Sequence, residues 1–524
     1  MNIDKPIFDV LVIGTGISGL SCAIAAAEKG KTVAIISKEK DITESNTYYA
    51  QGGIVESSDA DSPELLYRDI LRAGAGLNNV SAVRYVAAEG PGFVREYLVQ
   101  KAKVPFTRTN AGELARTQEA VHSVRRILYA EDSTGKAIET SLLAYARNVK
   151  GIEFYPRQMA VDIITNCHNS SNLQERYHPL RAVGAYVLDT ETHVIYPMFA
   201  SSVVLAAGGA GNLFLHTANP PGANGDGIAM AFRSGCEIIN AEYVQFHPTV
   251  LYHRDVQRFL ITEALRGEGA RLLNRKGEPF MERYNPTLKD LAPRDETARA
   301  IFREMALDGG GYVFLDATKV QGIDLKKRFP RIFEVCSSVG IDIRKEPIPV
   351  VPAAHYFCGG IKVDLDGKTN ISGLYAVGEN ACNGIHGANR LASVSLLESL
   401  TFGIRCGRHI ADRMKRINEK TLRWIPDWKS PDIQEEFDPI LISNDLFSIR
   451  SLMWNYVGIV RTKKRLVRAF SDLNYLNHRI EQFYKEARVT RELLELRNAV
   501  LAALLITRAA LRNEQSLGCH YRES

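Results

Sequence analysis

The sequence predicts an α/β protein in which a Rossmann-like nucleotide-binding domain is interrupted by an inserted α+β domain and followed by a carboxyl-terminal helical bundle. Three observations favour this fold class. The chain opens with a strand, a glycine-rich turn, an alanine-rich helix and a second strand. Buried-strand patterns stop near residue 240 and resume at residues 374–377, as expected around an insertion. Helical periodicity then dominates residues 446–512.

The opening unit is a βαβ motif. Residues 7–13 (IFDVLVI) and 31–37 (KTVAIIS) are apolar enough for buried strands, and SCAIAAAEKG between them predicts a helix that ends at Gly30. Gly14, Gly16 and Gly19 form G-x-G-x-x-G at the turn, where they permit a tight turn, close approach of a pyrophosphate and close helix–strand packing. The alternative, a glycine-rich turn in an unrelated α/β domain, is disfavoured by the position directly after a first strand.

The rest of the chain suggests how the domains are arranged. Further strands are predicted at 152–155, 160–164, 182–188 and 202–207, with a polar hairpin or surface loop at 166–178. Short mixed elements mark the insertion, and WIPDWKSPDIQEEFDP (424–439) indicates a linker. We expect the first part of the nucleotide-binding domain at 1–240, the inserted domain at 241–356, the second part at 357–424, and the linker with the helical domain at 425–524.

Composition narrows the function classes. The 524 residues are 45% hydrophobic and 24% charged, and the formal net charge of +5 is slight, which disfavours nucleic-acid binding but suits a small acidic substrate. The longest apolar run, 499–506, is too short to span a membrane, and the amino terminus lacks a signal-peptide layout. Eight cysteines without CxxC or Cys/His clusters argue against a metal site. A cytoplasmic protein is therefore expected.

The nucleotide is predicted to be FAD. The second strand ends in Ser37-Lys38 and lacks the ribose-binding acid expected of a nicotinamide site. Residues 374–379 (LYAVGE) instead give a late strand, a glycine and the acid Glu379, which looks like the second fingerprint of FAD-dependent oxidoreductases. Residues 205–211 (LAAGGAG) resemble their intermediate strand motif.

Several longer strings narrow the resemblance. These are YYAQGGI (48–54), QFHPT (245–249), TEALRGEGA (262–270), APRD (292–295), PAAHYFCGGI (352–361) and HGANRLASVSLLES (386–399). Together they resemble the succinate dehydrogenase/fumarate reductase flavoprotein family from residue 8 to about residue 520. The resemblance implies an FAD domain, a capping domain in place of the insertion, and a helical domain. Within the family it is strongest to members that oxidise L-aspartate.

The resemblance also implies which residues contact FAD. It places the glycine turn at the pyrophosphate, Lys38 near the adenosine, and the acids Asp226 and Glu379 on the cofactor. The full set is Gly14, Thr15, Gly16, Ile17, Ser18, Gly19, Lys38, Asn46, Thr47, Tyr48, Tyr49, Ala50, Gln51, Gly52, Gly53, Ala160, Val161, Asp226, Glu379, Ser395 and Leu396. Succinate dehydrogenases carry at position 46 a histidine that bonds covalently to FAD. Asn46 cannot do so, and noncovalent FAD is expected.

A C4 dicarboxylate brings two negative charges that must be desolvated, so cations and hydrogen-bond donors have to replace the lost water. Arg390 is suited to grip one carboxylate, and His247, His355 and Thr262 to donate to its oxygens, with Gln245 and Glu263 in the same wall. Arg294 matches the family's catalytic arginine. Since a guanidinium is a poor base, it is expected to stabilise charge and donate a proton. The alternative for Arg294 is a salt bridge to Asp295 or Glu296.

Glu119, in RTQEAVHSVRR (116–126), distinguishes an amino acid from a plain diacid. Succinate and fumarate carry no positive charge, whereas the ammonium of aspartate would favour a carboxylate beside it. The resemblance places Glu119 where aspartate-oxidising members orient the substrate amine. The alternative is a solvated charge paired with Arg116 or Arg125.

The implied activity is hydride transfer from the α-carbon of L-aspartate to flavin N5, which leaves iminosuccinate. Oxygen, giving hydrogen peroxide, or fumarate would reoxidise the flavin, and quinolinate synthase would use the product in NAD biosynthesis. One alternative is the flavoprotein subunit of a soluble fumarate reductase or succinate dehydrogenase, which would share most of these residues. A second is an FAD-binding interaction protein without catalysis, which the intact set of arginines and histidines disfavours.

Overall fold

A computed structural model describes residues 7–58, 60–119, 121–430 and 438–523. Its strands are β1 (Ile7–Ile13), β2 (Val33–Ile36), β3 (Ile54–Val55), β4 (Arg116–Thr117), β5 (Ile127–Leu128), β6 (Ile152–Tyr155), β7 (Gln158–Thr165), β8 (Ala182–Asp189), β9 (Ile195–Leu205), β10 (Ile238–Ile239), β11 (Val244–Leu251), β12 (Arg271–Leu273), β13 (Val313–Asp316), β14 (Ile348–Phe357), β15 (Gly360–Lys362), β16 (Leu374–Ala376), β17 (Ala381–Cys382), β18 (Arg461–Thr462) and β19 (Arg522–Glu523).

The helices are numbered in the same way. They are α1 (Ile17–Ala27), α2 (Pro63–Ala73), α3 (Val80–Phe93), α4 (Thr134–Ala146), α5 (Asp226–Arg233), α6 (Ala264–Gly267), α7 (Met281–Tyr284), α8 (Arg294–Asp308), α9 (Leu325–Arg328), α10 (Pro330–Ser338), α11 (Val394–Arg413), α12 (Glu419–Leu422), α13 (Pro439–Val457), α14 (Lys463–Glu486) and α15 (Arg491–Arg512). A π-helical segment, Val94–Lys101, continues α3.

The main sheet has the order β6-β2-β1-β9-β8-β7, with β16 also paired to β9. The strands β6, β2, β1, β9 and β16 run parallel, as the βαβ opening predicts. Helices α1 and α11 cover one face and share a core with α3 and α4. Their apolar residues meet the strands there, and a second core lies on the opposite face.

The parallel sheet has an antiparallel extension, because β7, β8 and β9 pair in opposite directions. Residues 166–181 join β7 to β8 and include the short 3₁₀ turn Leu173–Tyr177, so the polar segment is the predicted hairpin connection. Residues 190–194 join β8 to β9. Parallel neighbours need a crossover of a dozen or more residues, and this connection is too short for one.

Two further differences separate the sequence prediction from the fold. Strand β9 begins at Ile195, seven residues before the predicted start, because its first half pairs with β8 and its second half with β1. Helices α2, α3 and α4 were not predicted. The end of α3 contains Gly90, Pro91 and Gly92, a composition that usually breaks helices.

The inserted segment forms a four-stranded antiparallel sheet in the order β11-β14-β13-β12. Helices α8 and α10 pack beside it, and a separate core forms around Phe280, Ile301 and Leu315. Strand β14 then returns the chain to β15 and β16, so that the last parallel strand joins the main sheet after the insertion. The predicted α+β insertion is confirmed.

The carboxyl-terminal helices α13, α14 and α15 pack together around residues such as Trp454, Leu473 and Val500. The helical region predicted at 446–512 is confirmed and begins earlier, at Pro439, where Asp438 caps α13. Of the predicted linker, residues 431–437 lie outside the described residues. Strand β19 of the tail pairs with β18 and returns the chain to the body of the protein.

No helix in the described part of the chain is long and apolar enough to cross a membrane. All eight cysteines are free thiols. The described residues contain no group of three or more His, Cys, Asp or Glu side chains suited to holding a metal ion.

Candidate active site

A cavity of about 1220 Å³ lies where the main sheet, the antiparallel sheet of the inserted segment and the loop at 44–53 meet. One end is formed by the β1–α1 turn at the carboxyl ends of parallel strands, the position where open α/β sheets bind ligands. The other end lies against β11, β14 and the start of α8. The cavity is larger than a typical pocket for one small molecule, so it has room for a dinucleotide and a small substrate.

The glycine turn forms the floor of the first end. Gly14 has φ 116°, and a Cβ there would lie 2.2 Å from the carbonyl oxygen of Ala206. A Cβ on Gly19 would lie 2.2 Å from the carbonyl oxygen of Gly14, so Gly19 serves helix–strand packing. The N-terminus of α1 has no acidic residue in its first turn, which leaves its positive end available to a phosphate.

Most of the predicted cofactor residues line this cavity. They are Gly14, Thr15, Gly16, Ile17, Ser18, Lys38, Asn46, Thr47, Tyr48, Tyr49, Ala50, Gln51, Gly52, Gly53, Ala160, Asp226, Glu379, Ser395 and Leu396. Gly19 and Val161 lie outside its wall. Val161 is fully buried in an apolar cluster with Met159 and Leu188, because neighbouring residues of a strand point to opposite faces.

Asn46 and Glu379 meet across the cavity wall. Asn46 Nδ2 donates to Glu379 Oε2 at 2.7 Å, and the Phe357 amide donates to Oε1 at 3.0 Å. Burial raises the pKa of Glu379 to about 7. A Cβ on Gly209 would lie 2.1 Å from Glu379 Oε1, so the glycine in LAAGGAG makes room for this carboxyl group.

Lys38 lies at the end of β2, where a nicotinamide site would have its ribose-binding acid, and it forms two ion pairs there. Its Nζ lies 2.7 Å from Asp226 Oδ2 and 2.8 Å from Glu495 Oε1. Glu495 also pairs with Arg491, both on α15. The helical domain thus holds Lys38 in place at the end of β2 from behind the cavity wall, a contact that no local sequence signal indicates.

The substrate end of the cavity carries His247, His355, Thr262, Arg294 and Arg390. The two imidazole rings are 5.4 Å apart. Removal from water, with arginines nearby, holds the pKa of both histidines well below the usual value, so both are neutral at pH 7. Among the described residues, no hydrogen-bond partner is present for His247 Nε2, His355 Nδ1, Arg294 Nη1 or Arg390 Nε.

Such unpartnered buried groups are costly unless a ligand satisfies them. They lie together beside residues that can bind carboxylates, and their chemistry fits an anionic substrate. The predicted residues of this wall are therefore brought together, with one exception.

Gln245 lies behind the wall. Its Oε1 accepts from Arg390 Nη2 at 3.0 Å, and its Nε2 donates to the Arg390 carbonyl at 2.8 Å. Arg390 Nη1 donates to Ser395 Oγ at 3.0 Å, and the guanidinium lies 4.6 Å above the Tyr356 ring. Gln245 therefore orients Arg390 and has no surface on the cavity.

Arg294 does not pair with Asp295 or Glu296, the alternative that the sequence left open. Its Nε donates to Glu263 Oε2 at 2.8 Å, and Asp295 pairs with Arg299 at 2.9 Å. Burial would raise the pKa of Glu263, but Arg294 and Arg266 outweigh it and lower the pKa.

Arg266 is a residue that sequence reasoning missed. Its guanidinium is fully buried, and Nη2 lies 4.0 Å from Glu263 Oε2. Arg294, Glu263 and Arg266 thus form a continuous chain of ionisable groups that leads from the cavity. Arg266 lies in TEALRGEGA, three residues after Glu263, and this position is the signal that could have identified Arg266.

Glu119 lines the same cavity and pairs with neither Arg116 nor Arg125. Arg116 pairs with Glu56 instead, at 2.7 Å. Glu119 Oε2 accepts from Ser393 Oγ at 2.7 Å, a partner that sequence reasoning also missed. Removal from water raises the pKa of Glu119, and Arg294 partly offsets the rise. Glu119 therefore faces the same cavity as Arg294 and Arg390.

Comparisons with known proteins identify the family of this chain. The FAD binding domain family matches residues 9–396, and the fumarate reductase flavoprotein C-terminal family matches residues 448–524. The chain is 43% identical to an L-aspartate oxidase of Pseudomonas aeruginosa, over 98% of this chain and 94% of the relative. It is 38% identical to L-aspartate oxidase 2-a, chloroplastic, of Nicotiana tabacum, over 98% of this chain and 81% of the relative.

The fold also matches a quinol fumarate reductase of E. coli with a TM-score of 0.88, at 27% identity over 100% of this chain and 92% of that one. The two family matches place an FAD binding domain before a fumarate reductase flavoprotein C-terminal domain in this chain, and the structural match covers both. The chain belongs to the L-aspartate oxidases, within the succinate dehydrogenase/fumarate reductase flavoprotein family.

Proposed function

We propose that this protein oxidises L-aspartate to iminosuccinate with noncovalently bound FAD. The observation that carries the proposal is the placement of Glu119 in the same cavity as Arg294 and Arg390. The arginines suit the two carboxylates of a C4 diacid, whereas the acid suits an ammonium group and opposes a plain diacid. The names of the relatives, L-aspartate oxidases, support the same substrate.

The cofactor would lie along the glycine turn, the loop 46–53 and Glu379. The Glu379 carboxyl group could also accept hydrogen bonds from the hydroxyl groups of a ribityl chain. When bound, FAD supplies the acceptor for the hydride that leaves the substrate α-carbon. The amide of Asn46 is no nucleophile and already donates to Glu379, which supports noncovalent binding.

Two groups of residues would hold the substrate. Arg390, kept in place by Gln245 and Ser395, would bind one carboxylate. The neutral histidines His247 and His355 could donate hydrogen bonds to the substrate without adding charge, and Arg294 would face the other carboxylate.

Protons must also move, because the α-carbon cannot release hydride until the amino group bonded to it is neutral. Glu119, with its raised pKa, is the group suited to accept this proton, because burial and the nearby arginines keep both imidazoles neutral. When fumarate is reduced instead, Arg294 can donate a proton to the substrate. It can then regain a proton through Glu263 and Arg266.

We further propose that oxygen, giving hydrogen peroxide, or fumarate reoxidises the enzyme. Quinolinate synthase would take the iminosuccinate, so that this would be the first step of NAD biosynthesis. A cytoplasmic location remains a prediction, since a plant relative is named as chloroplastic.

The test is to mix the FAD-loaded protein anaerobically with L-aspartate, D-aspartate or succinate and to follow the loss of flavin absorbance. We expect bleaching by L-aspartate and none, or much slower bleaching, by the other two. Bleaching by succinate alone would favour a fumarate reductase flavoprotein, the activity named for the structural relative. Acid precipitation tests the cofactor linkage, because yellow colour retained in the pellet would contradict noncovalent FAD.

A further inference from the structure

We propose that Arg258 and Arg450 form a binding site for a phosphate group at the edge of the cavity, separate from the glycine turn. Arg258 belongs to the inserted segment and lines the cavity, and Arg450 lies on α13 of the helical domain. Both guanidinium groups bond to Asn212, which directly follows the LAAGGAG segment. Three parts of the chain thus bring two positive charges to one asparagine.

Asn212 is a fixed anchor for this pair. It is 1% exposed, and its Nδ2 donates to the Pro221 carbonyl at 2.6 Å and to Asn224 Oδ1 at 2.8 Å. Its Oδ1 accepts from Arg258 Nη2 at 3.4 Å, and its backbone carbonyl accepts from Arg450 Nε at 3.0 Å. Neutral acceptors therefore hold both cations in place.

The charges of the pair are not neutralised by an acid. Within the described part of the chain, no carboxylate lies within ion-pair distance of either guanidinium group. Glu495 favours the charged form of Arg450, but it is already paired with Lys38 and Arg491. Asn212 takes one N–H from each guanidinium, and each has further N–H donors. The described residues offer these donors no acceptor, so they are available to a ligand with several acceptor oxygens.

This arrangement costs energy unless an anion lies between the two groups. Removal from water lowers the pKa of Arg258, and removal from water together with the charge of Arg258 lowers the pKa of Arg450. Arg258 also has φ 65°, in the left-handed region that residues other than glycine rarely adopt. The Leu251 amide, which donates to the Phe259 carbonyl at 2.8 Å, holds the segment in place. Such unfavourable features persist mainly where function uses them.

The surroundings of the pair indicate a phosphate group as the anion. Asn212 bonds to Pro221, and the next residue, Gly222, accepts from Lys38 Nζ at 3.0 Å, so the pair borders the nucleotide end of the cavity. A phosphate group has enough oxygens to accept from both guanidinium groups. It can come from two sources, the diphosphate of FAD or free phosphate, and the experiment distinguishes them.

The experiment compares Arg258→Gln and Arg450→Gln with the native protein. Fluorescence titration gives the affinity for FAD, and thermal unfolding of the FAD-loaded proteins is followed with inorganic phosphate or with chloride at equal ionic strength. Arg254→Gln is the matched control, because Arg254 lies on the same loop, is 89% exposed and is outside the cavity wall. Arg258 makes one side-chain hydrogen bond to the described residues, so its variant remains informative if Arg450→Gln folds poorly.

The two sources give different results. If the diphosphate of FAD occupies the pair, each glutamine variant should bind FAD about tenfold or more weakly, the usual effect of losing a hydrogen bond to a charged group. Free phosphate should then compete with FAD in the native protein. If free phosphate occupies the pair, FAD affinity should stay within about twofold of the native value. Phosphate, unlike chloride, should then raise the Tm of the native protein and of Arg254→Gln, but not of the two glutamine variants of the pair.

Native FAD affinity in both variants, together with no phosphate-specific rise in the Tm of the native protein, would overturn the inference. A rise of the same size in the variants would also overturn it, since the phosphate would then bind elsewhere. A change confined to one of two folded variants would exclude a shared site, and an equal loss of FAD affinity in Arg254→Gln would reduce the effect to general charge. Oxidation of L-aspartate enters none of these measurements, so their failure is distinguishable from a failure of the proposed function.

Discussion

Replacement of Glu119 by glutamine tests why this cavity should take an amino acid. The change keeps the size of the side chain and an oxygen for Ser393, but it removes the negative charge. We expect L-aspartate oxidation to fall, because the substrate ammonium loses its counter-charge. Fumarate has no positive group, and a neutral side chain removes repulsion against its carboxylates. Fumarate reduction should therefore be unchanged or faster.

The magnitude follows from the surroundings of Glu119. The carboxylate lines the cavity with less than complete access to water, and one of its oxygens is already committed to Ser393. A hydrogen bond to a charged group in such a place contributes about 1.5–3 kcal/mol. The expected loss in kcat/KM for L-aspartate is therefore about 10- to 150-fold.

The assay is anaerobic flavin reduction by L-aspartate in a stopped-flow spectrometer, with fumarate-driven reoxidation measured on the same preparations. Glu113→Gln serves as the control, since Glu113 is an exposed acid on the same strand-rich segment and outside the cavity. It should match the native enzyme in both directions. Parallel losses of oxidation and fumarate reduction in Glu119→Gln would refute the reasoning and leave Glu119 a structural residue.

Three further predictions concern the cofactor site and the fold. Gly14→Ala should weaken FAD binding at least about a hundredfold in fluorescence titration, because its Cβ would lie 2.2 Å from the Ala206 carbonyl oxygen; native affinity would contradict this geometry. Burial raises the pKa of Glu379 to about 7, above its value in the unfolded chain. Between pH 4.5 and pH 7.5 Glu379 ionises more readily in the unfolded chain than in the folded protein, so the cofactor-free protein should lose about 2–3 kcal/mol of stability over this range. Urea unfolding should show that loss and a flatter profile for Glu379→Gln; identical profiles would exclude Glu379 as the cause. Arg461→Met should cost about 3 kcal/mol or more, because the buried guanidinium donates to the carbonyls of Val457, Gly458 and Glu242; a loss below about 1 kcal/mol in urea unfolding would contradict this role.

Local signals in the sequence were enough to predict the nucleotide turn and the last parallel strand. The strand before Gly14 and the acid Glu379 after β16 are each defined by a few adjacent residues. The antiparallel strands β7 and β8 were found as strands, but their direction depends on the length of the connections between them. Direction is a property of the whole sheet, and periodicity within one strand does not contain it.

Partners that are distant along the chain explain the other differences. Ser393 and Glu119 are 274 residues apart, and Lys38 and Glu495 come from the first and last domains. Gln245 was expected on the cavity wall because it belongs to QFHPT, yet its hydrogen bonds to Arg390 place it behind the wall. A family string identifies residues that belong together, whereas the fold decides which of them has a surface on the cavity.

The charges of the substrate end explain how one cavity can serve both an amino acid and a diacid. Arg294 and Arg390 line the cavity with two acids, Glu119 and Glu263, and Arg266 is buried behind Glu263, while the histidines are neutral. With both acids ionised the site carries one positive charge, which matches the single net negative charge of aspartate at pH 7. Fumarate carries two negative charges and is matched when Glu119 is protonated.

The raised pKa of Glu119 makes that protonation accessible, whereas the lowered pKa of Glu263 keeps its charge fixed between two arginines. Binding of fumarate should therefore take up a proton, and binding of aspartate should not. Calorimetric titration of the oxidised enzyme with each ligand, in buffers of different ionisation enthalpy, measures this uptake. Glu119→Gln should abolish the buffer dependence for fumarate; if the dependence persists, another group in the cavity takes the proton.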